Sequence, residues 1–242
     1  MIIEKSDEIL KTIIDIFKKE VDREIKRHPE IFTKDVLEKF QMFTVFKDEL
    51  FVADLVKYKP HTTRYGKKKI IAVFEDTKYL RDEATFMATY AYSAENGIIK
   101  IHRLNILISR DVLAAEILRN IADLKSYINR IVCDAKHEVG HLIDYLTNID
   151  GCDEEIYNER DKMESEVEQK TFKLIQELSE TPRDDPEEDK EDLRKCDELY
   201  FSLPAEVRAD EYGGVDRKAY LDSIHDKTSP VGHKIEITVC QE

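Results

Sequence analysis

The residues best placed to do chemistry are His137, Glu138 and His141, which form a His-Glu-x-x-His motif. Four residues of α-helix make slightly more than one turn, so the two histidines stack on one helix face and can bind one metal ion. Glu138 lies about 100° round the helix, where it can accept a proton from water without being a ligand. Two imidazoles beside a carboxylate base are typical of a zinc site that activates water.

The motif lies in a stretch whose apolar residues recur at helical spacing, which predicts a buried helix. The apolar residues are Leu124, Tyr127, Ile128, Ile131, Ala135, Leu142 and Leu146. Two core histidines on an ordinary helix are the alternative, but burying two histidines and a glutamate on one turn without a metal is costly. We therefore expect a metal site here, with Zn2+ as the ion.

A zinc site that keeps one position open needs a third protein ligand. The chain reads Leu-Pro-Ala-Glu-Val-Arg-Ala-Asp-Glu-Tyr over 203–212, which resembles the second motif of the gluzincin metallopeptidases. In that family a glutamate ligand is followed four residues later by an aspartate that orients a ligating histidine. The resemblance implies that Glu206 is the third ligand and Asp210 the orienting aspartate, with Glu211 as the fallback ligand. The string Glu-x-x-Ala-Asp is similar to that of ImmA/IrrE-like bacterial and phage-borne peptidases.

Other residues are candidates for supporting roles. Asp144 lies on the face of the motif but one turn further along, so we expect it to hydrogen-bond His141 rather than bind the metal. Some gluzincins place a tyrosine about two helical turns before the glutamate ligand to stabilise the oxyanion, and Tyr200 has a comparable place. Packing is the alternative role for Tyr200, and the competing oxyanion donors are Tyr157, Tyr212, His225 and His233. Cys133, one turn before His137, is expected to pack in the core.

Composition restricts the partners and the compartment. The net charge is −14 with 37% charged residues, which argues against nucleic acid as a partner. No apolar run approaches a membrane span, and acidic residues near the N-terminus replace the basic region of a signal peptide. The four cysteines include no Cys-x-x-Cys pair, so they are expected to be free thiols in a reducing compartment. We therefore expect a cytoplasmic protein without a membrane partner.

Residues 1–60 are predicted to form an N-terminal helical hairpin packed on the core. An amphipathic pattern predicts the first helix over 4–27. Thr33 is the predicted cap of a second helix that runs to about Lys57. A partner-binding module is the alternative role for this hairpin.

Residues 61–242 are predicted to form a zincin-like metallopeptidase domain. The expected fold class is α+β, mostly helical, with a small antiparallel or mixed sheet before the motif helix, which is the element order of the zincin catalytic subdomain. The predicted strands are Ile70–Phe74, Ala84–Tyr92 and Ile98–Leu104. Glu95-Asn96-Gly97 is the predicted hairpin turn, and Ile98–His102 is the candidate edge strand for substrate.

The segment after the motif helix is predicted to be mainly helical. Helices are expected over 153–180 and 192–201, separated by an acidic, proline-containing loop over 181–190. The alternation of apolar and polar residues over 234–239 predicts a terminal strand.

These observations predict a zinc-dependent metallopeptidase in which Glu138 is the general base. A protein or peptide is the expected substrate, and the resemblance to ImmA/IrrE-like enzymes implies a regulatory protein that is cut at few sites. The alternative is a non-catalytic interaction or regulatory protein that keeps the zincin fold with a structural or occluded zinc. A metal-free helical protein with a chance motif is a third hypothesis.

Overall fold

A computed structural model describes residues 2–45, 57–62, 68–73, 85–120, 123–179 and 186–225. The helices are α1 (Ile2–Arg27), α2 (Lys34–Leu37), α3 (Arg110–Arg119), α4 (Leu124–Asn148), α5 (Glu154–Ser179), α6 (Pro186–Tyr200), α7 (Pro204–Gly213) and α8 (Arg217–His225). The strands are β1 (Phe40–Val45), β2 (Lys57–Thr62), β3 (Lys68–Val73), β4 (Phe86–Glu95) and β5 (Ile98–Ser109). Helices dominate, and a small mixed sheet precedes the motif helix α4, so the predicted α+β class is confirmed.

Three strands form the mixed sheet in the order β1-β5-β4. β4 and β5 are antiparallel and are joined by the predicted hairpin turn, in which Asn96 and Gly97 have φ angles of 56° and 77°. Asparagine and glycine accept this left-handed conformation at low cost, so the local sequence specifies the turn. β1 runs parallel to β5, with Phe40 opposite Leu104. β2 and β3 form a separate antiparallel pair.

The prediction that Ile98–His102 is a free edge for substrate is wrong. The loop after α4 already occupies the outer side of these residues: the backbone N–H of Ile99 donates to Cys152 O (2.8 Å), and Gly151 N–H donates to Ile99 O (2.8 Å). The Asp150 side chain accepts a hydrogen bond from Ile101 N–H (2.7 Å). Among the described strands, β4 is the edge strand that lies next to the motif helix.

The predicted helical hairpin is only half correct. α1 confirms its first helix, but the second helix is limited to Lys34–Leu37, and Phe40–Val45 form a strand instead. Burial alternates along β1, since Phe40 and Met42 are half-buried and Gln41 and Phe43 are exposed. Pairing with β5 and this alternation together favour the strand over a helix. Residues 46–56 lie outside the described part, and the division of the chain at residue 60 stays a prediction.

One hydrophobic core joins α1, the sheet and α4. The buried side chains of α1 are Leu10, Ile13, Phe17, Val21 and Ile25. Phe17 stacks on Phe86 of β4, with ring centroids 3.8 Å apart. Ile131, Ala135 and Val139 bring the apolar face of α4 into the same core. The motif helix is therefore held between α1 and the sheet.

The helices after α4 largely follow the prediction. α5 confirms the helix expected over 153–180, and α6 includes the helix expected over 192–201. The prediction of a loop over 181–190 is wrong for its second half, because α6 begins at Pro186. Proline favours the first position of a helix. The strand expected over 234–239 lies outside the described residues. Within the described ranges, every helix is too short or too polar to cross a membrane.

Candidate metal centre

α4 carries the His-Glu-x-x-His motif on a buried helix, as predicted. The helix begins after Asp123, whose side chain accepts a hydrogen bond from Ser126 N–H (3.1 Å). His137, Glu138 and His141 are 7%, 7% and 9% exposed. The two imidazole rings lie on one helix face with their centroids 4.6 Å apart.

α7 approaches the motif at a position where α4 has no side chain. A Cβ atom added at Gly140 would overlap the carbonyl oxygen of Ala209 and lie 2.7 Å from its carbonyl carbon. Gly213 makes the reciprocal contact with the backbone of Lys136. Ala209 is fully buried, and its small side chain allows the two helices to lie close together. This crossing brings Glu206 to the histidines.

The three predicted ligand atoms converge on one point. His137 Nε2 lies 3.2 Å from His141 Nε2 and 2.9 Å from Glu206 Oε2. His141 Nε2 lies 3.6 Å from the same Glu206 oxygen. Zinc bonds of about 2.0–2.1 Å in a tetrahedron place ligand atoms about 3.3–3.4 Å apart, so the spacing fits such an ion. His137, His141 and Glu206 could therefore hold a metal ion.

The charges around this point favour a cation. Burial by itself lowers the pKa of His137, but the carboxylates of Asp210 and Glu206 raise it to about 10. Burial opposes ionisation of Glu206, yet His141 and His137 hold its pKa well below the usual range. Burial also raises the pKa of Glu138, although both imidazoles oppose that shift. A metal ion between the imidazoles would supply the positive charge that these carboxylates stabilise.

Asp210 contacts His137, the residue pair that the resemblance implied. Its Oδ1 lies 2.7 Å from His137 Nδ1. The pKa of Asp210 is lowered: burial opposes its ionisation, but His137 and Arg217 outweigh burial. An ionised carboxylate only accepts hydrogen bonds, so Nδ1 carries a hydrogen, and a metal ion would replace the proton on Nε2.

The predicted hydrogen bond between Asp144 and His141 is wrong. Asp144 accepts hydrogen bonds from Arg208 Nε (3.0 Å) and from Asn148 Nδ2 (2.7 Å). Arg208 belongs to α7, the helix that also carries Glu206. The crossing of α4 and α7 therefore places Arg208 beside Asp144, which bonds it instead of His141. His141 Nδ1 is buried and finds no hydrogen-bond partner within the described residues. Since α4 continues unbroken to Asn148, Asp144 is not among the ligand atoms.

The edge strand β4 contacts the motif at a residue that the sequence reasoning missed. Glu138 Oε2 accepts a hydrogen bond from Ala88 N–H (2.6 Å). Tyr145, two turns after Glu138 on α4, donates its hydroxyl hydrogen to Ala88 O (3.2 Å). No motif marks Ala88, because the contact uses only its backbone. The two bonds fix the candidate base against the sheet.

Of the predicted oxyanion donors, Tyr200 lies at the site. Its hydroxyl donates to Glu206 Oε1 (3.2 Å), and burial raises its pKa well above the usual range, so it stays protonated. The partners of the other candidates lie elsewhere: Tyr157 pairs with Tyr90, Tyr212 with Asn148, and His225 with Asp197. His233 lies outside the described residues.

The fallback ligand and the nearby cysteine do not join the ligand set. Glu211 is exposed, one residue beyond the buried Asp210. Cys133 is a half-buried free thiol whose pKa is raised by burial, so it is a poor thiolate donor. Cys133 is not among the side chains of the hydrophobic core, so its predicted role in core packing stays a prediction.

Arg217 is the second contributor that the sequence reasoning missed. It lies on α8, which follows the left-handed turn at Gly214 (φ 62°), and its guanidinium bonds both oxygens of Asp210. A lone arginine after a Gly-Gly turn is no recognisable motif, so only the fold reveals it.

The arrangement provides two imidazole nitrogens and one carboxylate oxygen for a cation, with a second carboxylate beside it. A donor set of this kind suits zinc better than magnesium or calcium, which prefer oxygen ligands. The chain matches no protein-family model, no curated protein and no solved structure.

Proposed function

We propose that this protein is a zinc-dependent metallopeptidase of the gluzincin type. The observation that carries the proposal is the convergence of His137 Nε2, His141 Nε2 and Glu206 Oε2, with Glu138 beside them. When bound, zinc lowers the pKa of water and polarises the carbonyl of a scissile peptide bond.

Glu138 is the proposed general base. The bond from Ala88 N–H occupies Oε2, so the carboxylate is held in one orientation and Oε1 is the oxygen to take a proton from the attacking water. Burial raises the pKa of Glu138, against the opposing effect of the two imidazoles, which brings it towards the range where a carboxyl both accepts and returns a proton. The same oxygen then delivers the proton to the leaving amine.

Tyr200 is the proposed donor to the developing oxyanion. Its protonated hydroxyl lies beside Glu206 Oε1, on the ligand side of the site. A rotation of this hydroxyl towards the carbonyl oxygen of a substrate would place a hydrogen-bond donor where negative charge grows.

The outer side of β4, away from β5, is the proposed place for the substrate backbone. In the described sheet β4 is an edge strand, and Ala88 points its N–H and C=O towards α4 and the site. An extended peptide added alongside β4 would carry its scissile bond past the ligand atoms, and would pair with backbone groups of β4 other than those of Ala88, which Glu138 and Tyr145 already bond. The substrate we propose is a protein or peptide, with a regulatory protein as the form suggested by the motif resemblance.

The proposed compartment is the cytoplasm. It is supported by the free thiols of Cys133, Cys152 and Cys196 among the described residues, since a reducing compartment keeps thiols free. The net charge of −14 supports the proposal that nucleic acid is not a partner.

One observation favours a second candidate function, a non-catalytic protein with a structural zinc. Each of the three ligands and Glu138 is at most 9% exposed, which leaves little open surface at the site. A structural zinc is closed to solvent, whereas a catalytic one keeps an open position.

The test is digestion of a defined peptide pool by zinc-loaded protein, with the Glu138→Gln variant as the matched control. We expect metal-dependent cleavage by the wild type, at least about 100-fold slower cleavage by the variant, and equal zinc binding by both. Full activity of Glu138→Gln would refute the assigned base. Zinc binding without any cleavage by the wild type would favour the structural role.

A further inference from the structure

We infer that Arg217 is a positioning residue of the metal centre, which holds Asp210 in the orientation that aims His137 at the metal. The inference rests on the proposed metal site. Its basis is the pair of charge-assisted hydrogen bonds between the two side chains: Nε donates to Oδ2 (2.7 Å) and Nη2 donates to Oδ1 (2.6 Å).

These bonds leave the Asp210 carboxylate no freedom to turn. Both oxygens are held by a planar fork, and Oδ1 also accepts the hydrogen of His137 Nδ1. Arg217 Nη2 also lies 3.0 Å from that same Nδ1. Because the ionised Asp210 carboxylate can only accept hydrogen bonds, we assign the hydrogen to Nδ1, and the N–H groups of Arg217 and His137 then converge on Oδ1. This arrangement directs Nε2 of His137 at the ligand set.

Arg217 is itself fixed by aromatic packing. Its guanidinium carbon lies 3.6 Å from the ring centroid of Phe201 and 4.5 Å from that of Tyr220. The hydroxyl of Tyr220 donates to Asp134 Oδ1 (2.8 Å), which ties α8 to the first half of the motif helix. The Arg217 side chain is only 14% exposed, so water weakens these contacts little.

Lysine cannot replace this arrangement. An ammonium group is a point charge without a planar face, so it can neither bond both carboxylate oxygens in one plane nor stack between two rings. The inferred role of Arg217 therefore depends on the shape of the guanidinium as well as on its charge.

The test is zinc affinity, measured by competition with a chromophoric chelator, for the wild-type protein, Arg217→Met and Arg217→Lys. Loss of an outer hydrogen-bond partner of a ligating histidine lowers metal affinity about 10- to 100-fold. We expect about a tenfold loss for Arg217→Met and a smaller loss for Arg217→Lys. Arg194→Met is the matched control, because Arg194 also makes ion pairs, with Glu198 on α6 and Asp222 on α8, away from the ligands. The zinc affinity of this variant should equal that of the wild type.

A double-mutant cycle with Asp210→Asn separates positioning from general stability. If Arg217 acts through Asp210, adding Arg217→Met to Asp210→Asn lowers zinc affinity by less than about twofold further. Equal losses in both backgrounds, or an Arg217→Met affinity within about twofold of the wild type, would overturn the inference. If Arg217→Met fails to fold, the test uses Arg217→Lys and compares the visible spectrum of its cobalt(II) form with that of the wild type. A changed spectrum supports the positioning role of Arg217, and an identical spectrum contradicts it. Wild-type protein that binds no zinc would instead refute the proposed metal site.

Discussion

Substitution of Gly140 by alanine tests the helix crossing that assembles the site. In an ordinary helix this change is favourable by about 1 kcal/mol, because alanine has the higher helix propensity. Here the added methyl group would meet the backbone of Ala209, 2.7 Å from its carbonyl carbon and overlapping its carbonyl oxygen. A backbone group cannot swing aside as a flexible side chain can, so α4 and α7 must separate.

The size of the separation follows from the contact distances. Carbon atoms pack best at about 3.5–4.0 Å, so a contact of 2.7 Å requires a movement of about 1 Å. Overpacking of this kind costs about 1–3 kcal/mol, and we expect the upper end, which leaves a net loss of about 2 kcal/mol after the gain in helix propensity. His137 and His141 lie on α4 and Glu206 lies on α7, so the same movement of about 1 Å separates the histidines from the glutamate. Metal–ligand distances tolerate a change of only about 0.2 Å.

The assay combines chemical unfolding of the metal-free protein with chelator competition for zinc. We expect Gly140→Ala to lower the free energy of unfolding by about 2 kcal/mol and zinc affinity by at least about 100-fold. Thr147→Ala, at an exposed position near the end of the same helix, is the control; it should leave zinc affinity unchanged and should not lower the free energy of unfolding, since alanine has the higher helix propensity. Wild-type stability and zinc affinity in Gly140→Ala would refute the close crossing of α4 and α7.

Three further predictions concern individual side chains. Glu206→Gln should abolish tight zinc binding in the competition assay, whereas Glu211→Gln, which alters an exposed neighbour, should bind zinc like the wild type. Burial raises the pKa of Asp134 to about 7, so the folded state holds this proton more tightly than the unfolded state does. The free energy of unfolding should therefore fall as the pH rises from about 4 to about 7, and urea titrations should show that Asp134→Asn removes part of this fall. Arg208→Met leaves the buried carboxylate of Asp144 without its closest cation, and thermal and urea unfolding should report a loss of about 3 kcal/mol.

Much of the candidate site could be predicted because its information is local. The four-residue spacing of His137 and His141 places both imidazoles on one helix face whatever the rest of the chain does. The pair Glu206 and Asp210 repeats that spacing on a second helix, and the resemblance to gluzincins supplied the roles that we expect for them. The turn at Asn96-Gly97 was also local, since few other residues accept its backbone angles.

The errors arose where a distant partner decides the outcome. The apolar spacing around Phe40 and Phe43 fits one side of a helix, but hydrogen bonding to β5, about sixty residues away, makes this segment a strand. Asp144 was placed on the correct face of α4, yet the spacing along one helix could not show that Arg208 reaches it from α7. Pairings of this kind depend on the packed fold and not on the pattern within one element.

Ala88 and Arg217 were missed for a related reason. Ala88 acts through its backbone, which every residue has, so its type carries no signal. Arg217 acts from a helix that returns to the site after a turn, and a single arginine has no characteristic spacing.

The most direct test of the metal centre is the zinc content of purified protein, measured by mass spectrometry for the wild type and for His141→Ala. A site with two imidazoles and one carboxylate predicts about one zinc per chain in the wild type and a loss of most of it in the variant. Wild-type protein that carries no zinc after gentle purification, and takes up none when the metal is offered, would contradict the assignment of His137, His141 and Glu206 as ligands.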